Sequence, residues 1–214
     1  MTRLAALVLA LGLVGAGCSG DAETTGQTAQ TTGETPGQIT GSPPSPDQAL
    51  PEDVSLTEPG TRLVHGQSAT VSWRPEADKV AVVDLQVDRV QEAPRRAFAG
   101  WQQDEAMNRS RPYFVDVLVE NRGEGELGGL PLPLFLLDDR GTYATPWTFA
   151  GDFEACPSGP LPRRFAPGEE AELCLVYLAA DHGTIEAMAF APDAAAEPLT
   201  WRGEVTRPPK PRRR

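Results

Sequence analysis

The chain has 214 residues, 40% of them hydrophobic, 7% aromatic and 23% charged, with 21 Gly and 21 Pro. It is too apolar for a wholly disordered chain and, with nearly twice the usual proline share of about 5%, too rich in breakers for a helical bundle. A formal charge of −11 removes the nonspecific phosphate attraction on which nucleic-acid binding rests, and no apolar run reaches the ~20 residues of a membrane-spanning helix.

Residues 1–17 carry one charge, Arg3, and an apolar run that ends in Gly15, Ala16 and Gly17 just before Cys18. The run is too short to span a membrane and reads as a secretory signal peptide. Small residues ahead of a cysteine resemble the lipobox of bacterial lipoproteins, although the branched residue, Val14, stands one place earlier than the usual Leu. The resemblance implies cleavage before Cys18, lipidation of its thiol, and a membrane partnership through that anchor on the extracellular face of the cytoplasmic membrane. Three cysteines in an exported chain leave a reactive thiol unless one is consumed elsewhere. With Cys18 lipidated, Cys156 and Cys174 are left to form a disulfide in an oxidising compartment. The competing metal-pair reading lacks a CxxC spacing and nearby histidines. Two Lys against 17 Arg, with abundant Ala, Gly and Pro, points to a GC-rich genome.

From residue 18 to 59 the sequence is Thr, Gly, Gln, Ser, Pro and Glu with almost nothing aliphatic before Leu50. Such a segment cannot bury enough apolar surface to offset its ordering entropy, so it is expected to be a disordered tether, with an r.m.s. reach of roughly 35 Å. The folded domain is expected over residues 60–206, enough chain for one core. Its dominant signal is period-2 alternation: Val83, Leu85 and Val87 alternate with polar residues, and Tyr113, Val115, Val117 and Val119 alternate with Phe114, Asp116, Leu118 and Glu120. Further strands are expected at 62–65, 69–73, 130–137, 142–149, 171–178, 184–190 and 199–201, with turns at 121–125, 138–141, 166–169 and 181–183. Pro131 and Pro133 put their strand at an edge or break it. Residues 91–111 form the one long non-strand insertion, with room for two helical turns at 101–108. About eight short antiparallel strands with this punctuation predict an all-β sandwich. Residues 207–214 form a basic, disordered tail that either solubilises the end of the chain or seeks anionic headgroups or wall polymers.

One pattern carries a family resemblance. It runs from Arg111-Pro112-Tyr113 through Glu120-Asn121, Gly123, Leu127-Gly128-Gly129 and Pro131-Leu132 to Cys156-Pro157, Phe165-Ala166-Pro167-Gly168-Glu169 and Cys174-Leu175-Val176-Tyr177. It resembles the immunoglobulin-like domain of actinobacterial cell-surface lipoproteins, related to the telokin-like bacterial extracellular family of unknown function and to a mycobacterial immunoprotective extracellular protein. The resemblance covers residues 60–203 and implies an immunoglobulin-like antiparallel sandwich and a surface location. It carries over no catalytic residue. Because Cys156 falls in a loop, the bridge is expected to pin a loop to a strand.

Chemistry-bearing motifs are sparse. His65 and His182 are the two histidines, and Asp181 beside His182 reads as turn polarity rather than a dyad, since neighbours on an extended chain face opposite ways. Ser68 and Ser72 sit in a strand context without a GxSxG pattern. Asp138, Asp139, Asp152 and Glu154 lack the spacing of a calcium loop. No catalytic residue, metal ligand or cofactor is therefore assigned. The expectation is a noncatalytic surface module binding an unknown protein or envelope ligand; the alternative is an accessory domain or enzyme of envelope metabolism with an unrecognised site. The candidate interaction residues are Trp147, Phe149 and Phe153 in residues 145–160. Aromatic residues on loops are common interface anchors. The stronger competing reading is that Trp147 and Phe149, which alternate with Thr148, line the sandwich and that Phe153 covers the Cys156 bridge.

Overall fold

The computed structural model describes residues 50–208 apart from position 52; the expected signal peptide, Cys18, most of the expected tether and residues 209–214 of the expected basic tail lie outside the described residues. Among those described, the chain is built of strands: β1 (Arg62–Val64), β2 (Ser68–Glu76), β3 (Lys79–Glu92), β4 (Arg111–Asn121), β5 (Leu134–Asp138), β6 (Tyr143–Ala144), β7 (Glu170–Ala179), β8 (Ile185–Phe190), β9 (Leu199–Arg202) and β10 (Val205–Thr206), with one short α-helix, α1 (Glu105–Arg109), and 3-10 turns at Arg95–Phe98 and Ala180–His182. They form two five-stranded sheets. The first has the order β1-β9-β8-β5-β6; in the second, β4 separates β3 from β7, while β2 and β10 share the other flank of β3. Two pairings are parallel, β1 with β9 and β10 with β3, and the others are antiparallel.

The alternation that predicted β3 and β4 is what places their side chains. Ala81, Val83, Leu85 and Val87 of β3, Val115, Val117 and Val119 of β4, and Leu175 and Tyr177 of β7 face Leu134, Leu136, Met188, Phe190 and Trp201 of the first sheet in one continuous core. The two sheets are also tied by polar atoms. Tyr177 on β7 donates its hydroxyl to the Leu134 carbonyl at 2.9 Å, and the Ile185 N–H donates to the Tyr113 hydroxyl at 3.2 Å. A bulge between Val87 and Arg89 re-aims β3, so that Val90 rather than Arg89 returns to the core. Asn121 closes β4: its amide donates to the Gly125 and Phe165 carbonyls, and its side-chain oxygen accepts from the Gly123 N–H. Every polar group of this buried side chain is thereby satisfied. At Gly128 an added Cβ would collide with the Arg163 carbonyl oxygen, a close backbone approach open only to glycine.

Several expectations need correction. The described residues hold ten strands rather than about eight; β10 is a two-residue strand that had no alternation long enough to announce it. The strand expected over 130–137 begins at Leu134, because Pro131 and Pro133 lack the donor that a strand paired on both sides requires. It is therefore an inner strand broken at its start, not an edge. The strand expected over 142–149 shrinks to Tyr143–Ala144. Helix occurs at Glu105–Arg109 and not from 101, since Asp104 accepts from the Met107 N–H at 2.7 Å and so fixes the N-terminus. Asp181 and His182 are not extended; both have positive φ, 46° and 59°, in a tight turn.

Candidate functional site

Two excursions leave the sheets and meet over the outer face of β4 and β7. One is the insertion between β3 and β4; the other is the segment between β6 and β7. The even-numbered residues Phe114, Cys174, Val176 and Leu178, which point away from the first sheet, are covered by Phe98, Trp101, Met107, Phe149 and Phe153. Phe149 stacks on Phe153 with centroids 4.2 Å apart, Phe153 on Phe98 at 5.2 Å, and Trp101 meets Phe149 edge-on at 4.8 Å. Such contacts add about 0.5–1.5 kcal/mol each beyond area burial.

This roof is stapled by a disulfide between Cys156, fully buried in the loop, and Cys174 on β7, with Cα atoms 5.2 Å apart. The bridge does pin a loop to a strand. By constraining the unfolded chain across a separation of 18 residues, it stabilises the fold by about 3 kcal/mol. Ser158 reinforces the staple by accepting from the Val176 N–H at 2.9 Å.

The three aromatics singled out from sequence separate into two groups. Phe153 is 3% exposed and Phe149 half-buried, and both belong to the roof rather than to the space between the sheets. Trp147 is 42% exposed. After β6 the chain crosses from the first sheet to the second, and the Trp147 N–H donates to the Val176 carbonyl at 2.7 Å in an isolated antiparallel bridge. At the other end of this crossover Ala144 packs on the core, which turns Tyr143 outward, 46% exposed and edge-on to Phe135.

Tyr143 and Trp147 line one surface groove of about 360 Å³ with Asp104, Met107 and Ser110 of the insertion and Leu178 of β7. Pro146 and Thr148, between and beyond them, line a different, apolar groove of about 440 Å³ with Trp73, Leu130 and Pro131. Thr145 lines both, so the crossover lies between two concave surfaces. Sequence reasoning missed Tyr143 and Asp104 as members of the first groove. Tyr143 read as one position of a longer strand, and Asp104 carries no signal beyond its capping role.

The other titratable candidates are structural. Asp138 is buried, and burial alone would raise its pKa; the Arg140 guanidinium at 2.7 Å and the N–H groups of Thr142 and Arg140 together hold it below the usual carboxylate value. Asp139 is held low by the Thr184 hydroxyl and N–H. Asp181 accepts from Arg109 at 3.2 Å, which gives its carboxylate a partner other than His182. His65 lies half-buried against Gly203, and burial lowers its pKa against the opposing effects of a Glu204 backbone hydrogen bond and the Asp88 charge. Among the described residues no three His, Cys, Asp or Glu side chains are gathered to hold a metal ion. Ser68 and Ser72 lie on β2.

Comparison of the chain with family models, with curated proteins and with solved structures finds no match. The groove at Trp147 therefore has to be read from its own chemistry.

Proposed function

We propose that this is an exported surface protein, lipid-anchored at Cys18 to the outer face of the cytoplasmic membrane, whose noncatalytic immunoglobulin-like module binds a protein or envelope ligand at the Tyr143–Trp147 crossover. Strand exchange supports the immunoglobulin-like reading. β3, β4 and β7 share one sheet and β5, β8 and β9 the other, the distribution of strands A, B and E against C, F and G in that architecture. The disulfide departs from that pattern by joining a loop to β7 rather than the two sheets.

The observation that carries the binding reading is the exposure of Trp147 and Tyr143 on a segment held at both ends. Large aromatic surface left in water is costly, whereas the same surface on a fixed backbone loses little entropy on meeting a partner. A photo-crosslinking amino acid at position 143 should form adducts on intact cells, and one at Glu154, exposed on the neighbouring loop, should not. Adducts at both positions or at neither would defeat the reading. The anchor has its own test: Cys18→Ala should release the protein into the medium, and a variant that stays membrane-bound through a salt wash would overturn the assignment.

A further inference from the structure

The groove beside Trp147 has a chemical polarity that narrows its occupant. Its charged lining residue is Asp104, and no Lys, Arg or His lines it. Two cations border it: Arg109, paired with Glu105 at 2.6 Å and with Asp181 at 3.2 Å, and Arg95, which is spent on the carbonyls of Asn108 and Ser110 at 2.7 and 2.6 Å. Two exposed aromatic side chains, Tyr143 and Trp147, form one wall, and Ala106, Met107 and Leu178 supply aliphatic surface. Aromatic faces attract cations, a carboxylate completes the charge, and aliphatic surface accommodates a methylene stem. The chain's formal charge of −11 favours encounter with a positive partner.

We infer that this groove takes the lysine or arginine side chains of a basic, extended segment of a protein partner. The inference rests on the reading that the Tyr143–Trp147 groove is the ligand-facing site, and it adds the chemistry of the ligand. The lining offers a cation with an aliphatic stem three matching kinds of surface: ring, carboxylate and hydrocarbon. An anionic ligand would face Asp104, the one charged side chain in the lining, and a wholly apolar one would leave that carboxylate unused.

The test uses the purified full-length protein and a dye-labelled peptide of alternating glycine and lysine or arginine. Its comparator is the same peptide with the lysines acetylated and the arginines replaced by citrulline, which keeps the stems and removes the charge. The cationic peptide should bind at least tenfold tighter than its neutral twin. Trp147→Ala and Trp147→Leu should each lose about tenfold, the second because leucine restores apolar area without a π face. Asp104→Asn should lose severalfold while preserving the helix cap, since Asn caps as well as Asp. Asp152→Asn, which removes an exposed carboxylate elsewhere on the surface, should change affinity less than twofold. Equal affinity for the two peptides, or an equal loss from Asp152→Asn and Asp104→Asn, overturns the inference. Crosslinking at position 143 without a cationic preference would refute the ligand class alone; no crosslinking at that position refutes the site itself.

Discussion

The molecule has two hydrophobic interiors built by different rules. Between the sheets, each strand contributes alternate residues to a core that closes on both sides by regular pairing, with Trp201, Tyr177 and Leu134 fully buried. Over the outer face of β4 and β7, loops do the covering, and four aromatic side chains with a disulfide take the place of a third layer of regular structure. The first interior is held by many small, redundant contacts. The second depends on a few large rings and one covalent bond. Trp147 and Asp104 sit at the margin of this roof, beside Met107 and Leu178.

Breaking the first interior should have the largest effect. Trp201→Ala removes a fully buried indole, together with its donation to the Gln67 carbonyl at 2.8 Å, and should cost about 3–5 kcal/mol. Urea denaturation should show the midpoint falling with loss of the whole structure, roof included. Opening the second interior is milder and more local. Replacing Cys156 and Cys174 with Ser should cost about 2–4 kcal/mol. Hydrogen exchange should then rise at residues 95–110 and 145–160 while β3 and β4 stay protected. Uniform loss of protection would show that the two interiors do not separate.

Much of this contrast was legible in the residues. The alternation of Val115, Val117 and Val119 placed β4, and the pairing of Cys156 with Cys174 followed from cysteine arithmetic. The roof was not legible, because nothing local in Phe98, Trp101 or Phe153 says that they meet: their contacts join the insertion after β3 to the loop after β6. The crossover misled for a related reason. Tyr143, Trp147 and Phe149 look like alternate positions of one strand, but the chain changes sheets between the first two, which leaves Tyr143 and Trp147 outside and Phe149 in the roof. Pro146 lies in that crossing, where a strand would have lost a donor.

Smaller effects sharpen the boundary between the sheets. Tyr177→Phe leaves the ring in place but deprives the Leu134 carbonyl of its donor, and should cost about 1–2 kcal/mol in an equilibrium melt. The pH response should be smaller still. Burial lowers the pKa of His65 from 6.5 in the folded chain, so on acidification the unfolded chain takes up this proton first. Its share of stability is complete above pH 6.5 and is lost as the pH falls through the lower folded value. The melting temperature of the parent should therefore fall more than that of His65→Gln between pH 7 and pH 5. Parallel slopes would remove His65 from the account.

On the proposed reading Trp147 serves a partner, whereas Phe153, six residues on, serves the fold. Thermal melts and crosslinking at position 143 should be measured side by side for Trp147→Ala and Phe153→Ala. Trp147→Ala should change stability by less than about 0.5 kcal/mol and weaken the adduct about tenfold. Phe153→Ala should cost about 3 kcal/mol and retain the adduct below its melting temperature. A Trp147→Ala protein that is as destabilised as Phe153→Ala, yet still forms the adduct undiminished, would contradict this reading.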